Sequence, residues 1–277
     1  MENRKKIGIL YIATGPYIAF WPGFYENFSR LFLPECDKVF FVFTDAESIA
    51  HENEPNVVRF YQEALPWPYG TMKRFSFFLA QKAALAKTDC LYFCNANLHC
   101  ERPIAFDEVS PLPGRPLVAV SHQHTWGRDP LFHPYCRDPK SRAFIPYGLG
   151  THYVAGGLNG GETGAFLEMC RELDARTEED LSKNVIPVCH DESQINRLVA
   201  ERPERFRVLG PAYCVPEEHP QPDQAITILQ KSRFIDIAHV KGEKKKMGYL
   251  AFKWEAFQKN WLPYLWRLRD RALGRRL

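Results

Sequence analysis

Four short runs of apolar and β-branched residues, Ile7 to Ile12, Val39 to Thr44, Leu91 to Ala96 and Leu117 to Ser121, constrain this chain more than any other feature. Each is continuous rather than alternating and ends in small or polar residues, the pattern of strands buried on both faces of a mostly parallel sheet. Helix-like stretches lie between them. Thr71 to Lys87 is the clearest, with Met72, Phe75, Leu79 and Ala83 on one apolar stripe. Strands alternating with helices imply an α/β layer whose ligands sit beyond the C-terminal strand ends. No internal repeat or low-complexity segment interrupts this pattern, and the Pro-rich stretch Pro211 to Pro222 reads as a connecting loop.

At 277 residues and 45% hydrophobic, the chain can bury a substantial core, which excludes general disorder. The formal net charge of +3 hides an asymmetry: positions 241–277 hold eleven Lys or Arg against three acidic residues, so the preceding body is net acidic. The eight cysteines are scattered through apolar segments and follow no secretory signal, so reduced, buried thiols are expected. Cys90, Cys94, Cys100 and His99 lack the paired spacing of a zinc knuckle. Ile7 to Ile12 is too brief for a signal segment, and no run reaches the roughly 18 apolar residues of a spanning helix, so a cytoplasmic protein is expected.

Four segments could carry chemistry. Ala13-Thr14-Gly15-Pro16-Tyr17 has too few glycines for a dinucleotide fingerprint, but Tyr17 could stack on a base; an ordinary core tyrosine is the alternative. Asn95 and Asn97, two residues apart at a strand end, share the spacing by which paired carboxylates hold a metal against a diphosphate. Both are neutral amides, and hard cations need at least one carboxylate in such a site, so no metal is expected. From Ala155 to Gly161, four glycines let the backbone pass close to a ligand, and a helix N-terminus from about Glu162 would favour anions; a plain tight turn explains the same residues. His190-Asp191-Glu192-Ser193 follows an apolar, strand-like run, Val185 to Val188, and is either a solvated helix cap or part of a cleft.

Taken in order, these segments resemble glycosyltransferase family 6, the family of the histo-blood-group A and B transferases and the α1,3-galactosyltransferase. The resemblance runs from about Ile7 to Tyr213. It is carried by Tyr11 to Tyr17, Phe41 to Asp45, Trp67 with Met72-Lys73-Arg74, and Asn95-Ala96-Asn97. Arg137 with Ala143 to Pro146, Tyr153 to Gly161, and His190 to Ser193 complete it.

The resemblance implies a single-domain A-type glycosyltransferase fold, Rossmann-like with a mostly parallel central sheet and flanking helices, over 1–240, followed by a helical basic extension over 241–277. It further implies retaining α1,3 transfer of N-acetylgalactosamine, with galactose second, from a UDP-sugar to a galactose-containing, fucosylated glycan. Mammalian members carry Asp-Val-Asp and depend on manganese. Bacterial members that look like this chain carry Asn-Ala-Asn and work without it, so no cofactor is implied and the UDP-sugar is a substrate.

By the same resemblance Ile12, Ala13 and Tyr17 hold uracil and ribose, and Arg74 contacts the donor near Asn95, Ala96 and Asn97. Lys231 or Lys241 reaches the diphosphate, and Asp191 bonds hydroxyls of the donor sugar. Glu192 is the catalytic carboxylate on the β face of the anomeric carbon. His122, His190 and Glu192 touch the acceptor, while Ala155, Gly156 and Gly157 set donor choice, their small size leaving room for an acetamido group. Cys189 stands where members have tryptophan, and His133-Pro134 departs from the family, both near the acceptor pocket. A binding protein that keeps the pocket without turnover is the competing class. A glycoside hydrolase would need a second catalytic carboxylate.

In the extension, lysines and arginines interleave with Tyr249, Phe252, Trp254, Phe257, Trp261, Tyr264 and Trp266. That composition suits an anionic inner-membrane surface and a lipid-linked glycan acceptor; a helix packed on the catalytic domain is the alternative. No base-reading motif accompanies the charge, so nucleic acid is not an expected partner.

Overall fold

The computed structural model describes residues 4–237, 240 and 261–273. Strands β1 (Lys6–Ile12), β2 (Asp37–Thr44), β3 (Val57–Tyr61), β4 (Cys90–Cys94), β6 (Leu117–Ser121), β7 (Val154–Glu162) and β8 (Phe206–Leu209) form one seven-stranded sheet, ordered β3-β2-β1-β4-β7-β6-β8. Only β7 runs against its neighbours β4 and β6; the other pairings are parallel. A small second sheet joins β5 (Leu98–Cys100), β10 (Ile226–Ile228) and β9 (Val215–Pro216).

Buried side chains on both faces explain the unbroken apolar runs. Along β1, Ile7, Ile9 and Tyr11 join a core beneath helix α1 (Trp21–Leu31), which contributes Trp21, Phe24 and Phe28. Leu10 points the other way, toward Phe75 and Phe78 of α3 (Arg74–Ala80) and Phe166 and Leu173 of α6 (Thr163–Ser182). Two aromatic-rich layers thus clamp the sheet, each large side chain adding about 1.5–3 kcal/mol on burial. All eight cysteines are free thiols, and seven of them are buried.

Three expectations from the sequence differ in the structure. The stripe from Thr71 to Lys87 is divided among α2 (Tyr69–Met72), α3 and α4 (Lys82–Leu85), with non-helical ψ near 8° at Lys73 and 16° at Gln81. The break at Lys73 starts α3 at Arg74, whose side chain is buried toward the strand ends. The glycine-dense run is a strand, so α6 begins at the end of β7 remote from Gly156 and offers no anion site beside it. Here Gly160 and Gly161 serve packing: a Cβ would come within 2.4 Å of the Tyr92 ring at the first and 2.3 Å of the Pro116 carbonyl at the second. Val185 to Val188 is a connecting turn rather than a strand, with Ile186 and Val188 exposed.

The extension divides as well. The first twenty positions of 241–277, Lys241 among them, lie outside the described residues. Leu262–Ala272 forms a helix that follows α5 (Phe106–Val109) and α7 (His190–Glu201) in chain order and is termed α8. It packs on the body through Trp266 against Tyr147 and Tyr264 against Phe132.

Candidate active site

A cavity of about 650 Å³ opens at the C-terminal ends of β1 and β4. Strand order reverses at β1, which pairs with β2 on one side and β4 on the other, and ligands of open α/β sheets collect at such a switch point. The volume falls in the range of small-molecule sites.

The wall after β1 is fixed by backbone bonds. Ala13 donates its N–H to the Phe43 carbonyl at 2.9 Å, and Thr44 Oγ1 donates to the Ala13 carbonyl at 2.7 Å. Gly15 takes a left-handed φ of 57°, open to glycine without a Cβ clash, and donates its N–H to Asp45 at 2.7 Å. Pro16 and Tyr17 follow on a short 3-10 turn, and Lys231 Nζ lies 5.0 Å from the Tyr17 ring centroid. Ile12, Tyr17 and Lys231 line the cavity, whereas Ala13 is fully buried behind it.

Asn95, Ala96 and Asn97 form the turn between β4 and β5 and also line the cavity. Asn97 Nδ2 donates to the Leu229 carbonyl at 2.7 Å, tying this turn to the segment that precedes Lys231. Among the described residues no three His, Cys, Asp or Glu side chains converge as metal ligands. The two amides beside the cavity are neutral, and the carboxylates that line it with them, Asp191 and Glu192, are held by Arg74, Tyr153 and the Gly156 N–H.

Opposite them stands the start of β7. Its pairing with β6 slips between Ala119 and Val120: Ala119 faces Asn159 while Val120 faces Ala155, leaving Gly156, Gly157 and Leu158 without β6 partners. Such bulges turn backbone groups toward a site. Glu192 Oε2 accepts the Gly156 N–H at 2.7 Å, while the Gly156 carbonyl accepts from Arg74 Nη1 at 2.9 Å and from Asn159 Nδ2 at 3.1 Å. Gly157 stacks against Asn95, where a Cβ would stand 3.0 Å from Nδ2. Ala155 is buried and does not line the cavity.

Helix α7 delivers the acids. His190, in a left-handed φ of 51°, opens it and turns Asp191 and Glu192 inward. Asp191 Oδ2 pairs with Arg74 Nη1 at 2.8 Å, both side chains being almost wholly buried. Burial pushes the Asp191 carboxyl up to about 6; the Arg74 charge opposes that shift and the Glu192 charge adds to it. Burial also raises Glu192 above the usual carboxylate range, against the opposing pull of the Tyr153 hydroxyl, the Gly156 N–H and Arg74. Tyr153 donates to Glu192 Oε1 at 2.6 Å. Both acids are therefore desolvated, and each is held by a designated donor.

The sequence-derived residues thus converge, with qualifications. His190 lines the cavity, while His122 does not: its ring lies 5.8 Å from that of Tyr153 and so reaches Glu192 through the tyrosine. Burial, then the neighbouring His124, lowers the His122 pKa. Sequence reasoning missed the grip of Tyr153 on Glu192. Trp67, one of the residues that carry the resemblance, has no role assigned from the sequence; it borders the cavity with its ring centroid 5.0 Å from that of His190.

An open, mostly parallel sheet with a cavity at its strand ends and a buried acid pair inside it defines an α/β transferase of the A-type glycosyltransferase fold. Residues 2–242 match the profile of glycosyltransferase family 6, and the chain belongs to that family. It is accordingly a hexosyltransferase that takes a nucleotide-sugar donor and a glycan acceptor. It is 33% identical over 190 residues to the O-antigen biosynthesis glycosyltransferase WbnI of Escherichia coli, covering 69% of this chain and 80% of that one. Similarity to the histo-blood group ABO system transferase 1 of Rattus norvegicus is 25% over 221 residues, or 76% of this chain and 61% of the rat protein. A second rat relative, glycosyltransferase 6 domain-containing protein 1, is 23% identical over 228 residues, 78% of this chain and 67% of its own length.

Proposed function

We propose that this chain is a retaining α1,3-glycosyltransferase that moves N-acetylgalactosamine, with galactose the second choice, from a UDP donor to a galactose-containing glycan without a metal ion. The observation that carries the reading is Glu192. It is a buried carboxylate held from two sides by Tyr153 and Gly156 and set against a cavity bordered by Asn95 to Asn97 and by Gly156 and Gly157. In this reading Ile12 and Tyr17 form the nucleoside end of the cavity with Ala13 fixed behind them, and Arg74 holds Asp191 so that its remaining lone pairs meet hydroxyls of the donor sugar. Lys231, which lines the cavity, or Lys241 balances the departing diphosphate in place of a cation.

As the bond from the anomeric carbon to the diphosphate breaks, Glu192 either stabilises the oxocarbenium-like transition state or attacks the anomeric carbon as a nucleophile, and the acceptor hydroxyl enters on the leaving-group face, passing its proton to the departing phosphate. His122 and His190 border the acceptor. The absence of a Cβ at Gly156 and Gly157 supports the acetamido sugar, since a side chain there would reach Glu192 and Asn95. The Escherichia coli relative acts in O-antigen biosynthesis, which supports a cytoplasmic enzyme acting on a galactose-terminated oligosaccharide or lipid-linked glycan, a fucosylated one included.

The test is a panel of UDP-N-acetylgalactosamine and UDP-galactose against galactosides in EDTA. Glycosylated product with an α linkage and release of UDP are expected. UDP binding without product would favour the non-catalytic binding protein, and activity restored only by a divalent ion would overturn metal independence.

A further inference from the structure

Helix α8 presents its faces the wrong way round for a helix that merely covers a protein body. Toward the body it turns Trp266, whose ring centroid lies 5.2 Å from that of Tyr147, and Arg267, which pairs with Asp129. Away from the body, Trp261, Leu265, Leu268 and Ala272 follow one another at spacings of four, three and four, which places them on one stripe. That stripe faces solvent: Trp261 is 64% exposed, Leu265 50% and Leu268 61%. Isolated exposed leucines are ordinary, but a stripe running the length of a helix marks an interaction surface.

Charge identifies what the stripe meets. The segment that carries α8 holds eleven basic and three acidic residues, while the body is net acidic, so an anionic surface attracts this part of the molecule and repels the rest. A second copy of the chain would bring two such basic segments together. No helix among the described residues is long and apolar enough to cross a bilayer, and eleven residues span only about 16 Å. Arg269 lies at the edge of the stripe, its guanidinium 3.6 Å from the Trp266 ring centroid. We infer that the outward face of α8 docks on an anionic bilayer, lying in the interfacial plane with Trp261, Leu265 and Leu268 at the acyl boundary and basic side chains among the headgroups. This inference stands independently of the donor reading.

The experiment sediments the full chain with vesicles of phosphatidylcholine, with and without phosphatidylglycerol, comparing it with the Leu265→Gln/Leu268→Gln variant. Glutamine keeps helix propensity close to that of leucine. The parent is expected to partition onto phosphatidylglycerol vesicles, to leave them as salt rises, and to bind pure phosphatidylcholine weakly. The variant should lose about tenfold or more in partitioning. Its transfer to a soluble acceptor should equal that of the parent, because neither leucine lines the cavity. In parallel, hydrogen exchange of the parent should slow in positions 262–272 when phosphatidylglycerol vesicles are added. A parent that ignores both vesicle types, a variant that binds as well as the parent, or unchanged exchange would overturn the inference. So would a parent dimer that the substitutions disperse, which would assign the stripe to a second copy.

Discussion

Replacing Tyr153 with phenylalanine should move the acid limb of the transfer reaction. The hydroxyl donates to the Glu192 carboxylate at 2.6 Å, and that bond is the first of the influences opposing the rise that burial imposes on Glu192. Phenylalanine keeps the ring in its packing, between Tyr135 at 5.5 Å and His122 at 5.8 Å, so the change is confined to one donor. A hydrogen bond to a charged group contributes about 1.5–3 kcal/mol, and 1.36 kcal/mol corresponds to one pKa unit, so the Glu192 pKa should climb by about 1–2 units.

In the proposed mechanism Glu192 acts ionised. The acid limb of kcat/KM should therefore shift upward by that amount, with the alkaline plateau reduced far less. Thermal melting across the same buffers reads the linked effect. Because burial places the folded pKa above the unfolded one, the contribution of this group to stability is full below the unfolded pKa and is lost as pH rises through the folded value. The variant should extend that loss to higher pH. An acid limb that stays in place while the plateau falls would assign the titration to another group, such as Asp191 near 6, and refute the argument.

Two further substitutions test the site. Glu192→Gln removes the charge yet can still accept the Gly156 N–H through its carbonyl, so turnover should drop by at least about 100-fold while UDP affinity, measured by calorimetry, changes little; equal losses in both would contradict the assignment. Gly156→Ala places a Cβ 3.2 Å from Glu192 Cβ and 3.4 Å from Asp191 Oδ2, in the space that the proposed function gives to the donor sugar. Its kcat/KM ratio should swing from N-acetylgalactosamine toward galactose by about tenfold or more, and an unchanged ratio in competition assays would remove this position from donor choice.

Much of the framework was legible because the strands buried on both faces advertise themselves. Leu117 to Ser121 coincides with β6, and Ile7 to Ile12 and Val39 to Thr44 lie wholly within β1 and β2. Asp191 and Glu192 do open a helix, as acids near a helix start suggest. What could not be read from sequence depended on partners distant in the chain. A strand made largely of glycine has no side-chain periodicity, so β7 looked like a loop, and only its pairing with β4 and β6 reveals it. The break at Lys73 leaves the apolar stripe intact and so is invisible to periodicity; the partners of Arg74, Asp191 and the Gly156 carbonyl, are far along the chain. The tail read as basic and aromatic, but which of its aromatics point inward was decided by Tyr147 and Phe132.

The slipped register of β7 separates two properties that many enzymes must adjust together. Glu192 and Arg74 are fastened to the amide and carbonyl of residue 156, groups that every non-proline amino acid supplies. A Cβ added at 157 would meet Asn95 and leave the carboxylate alone, whereas one added at 156 reaches Glu192 itself, so there a change in the shape of the cavity and a change of acidity arrive in a single step.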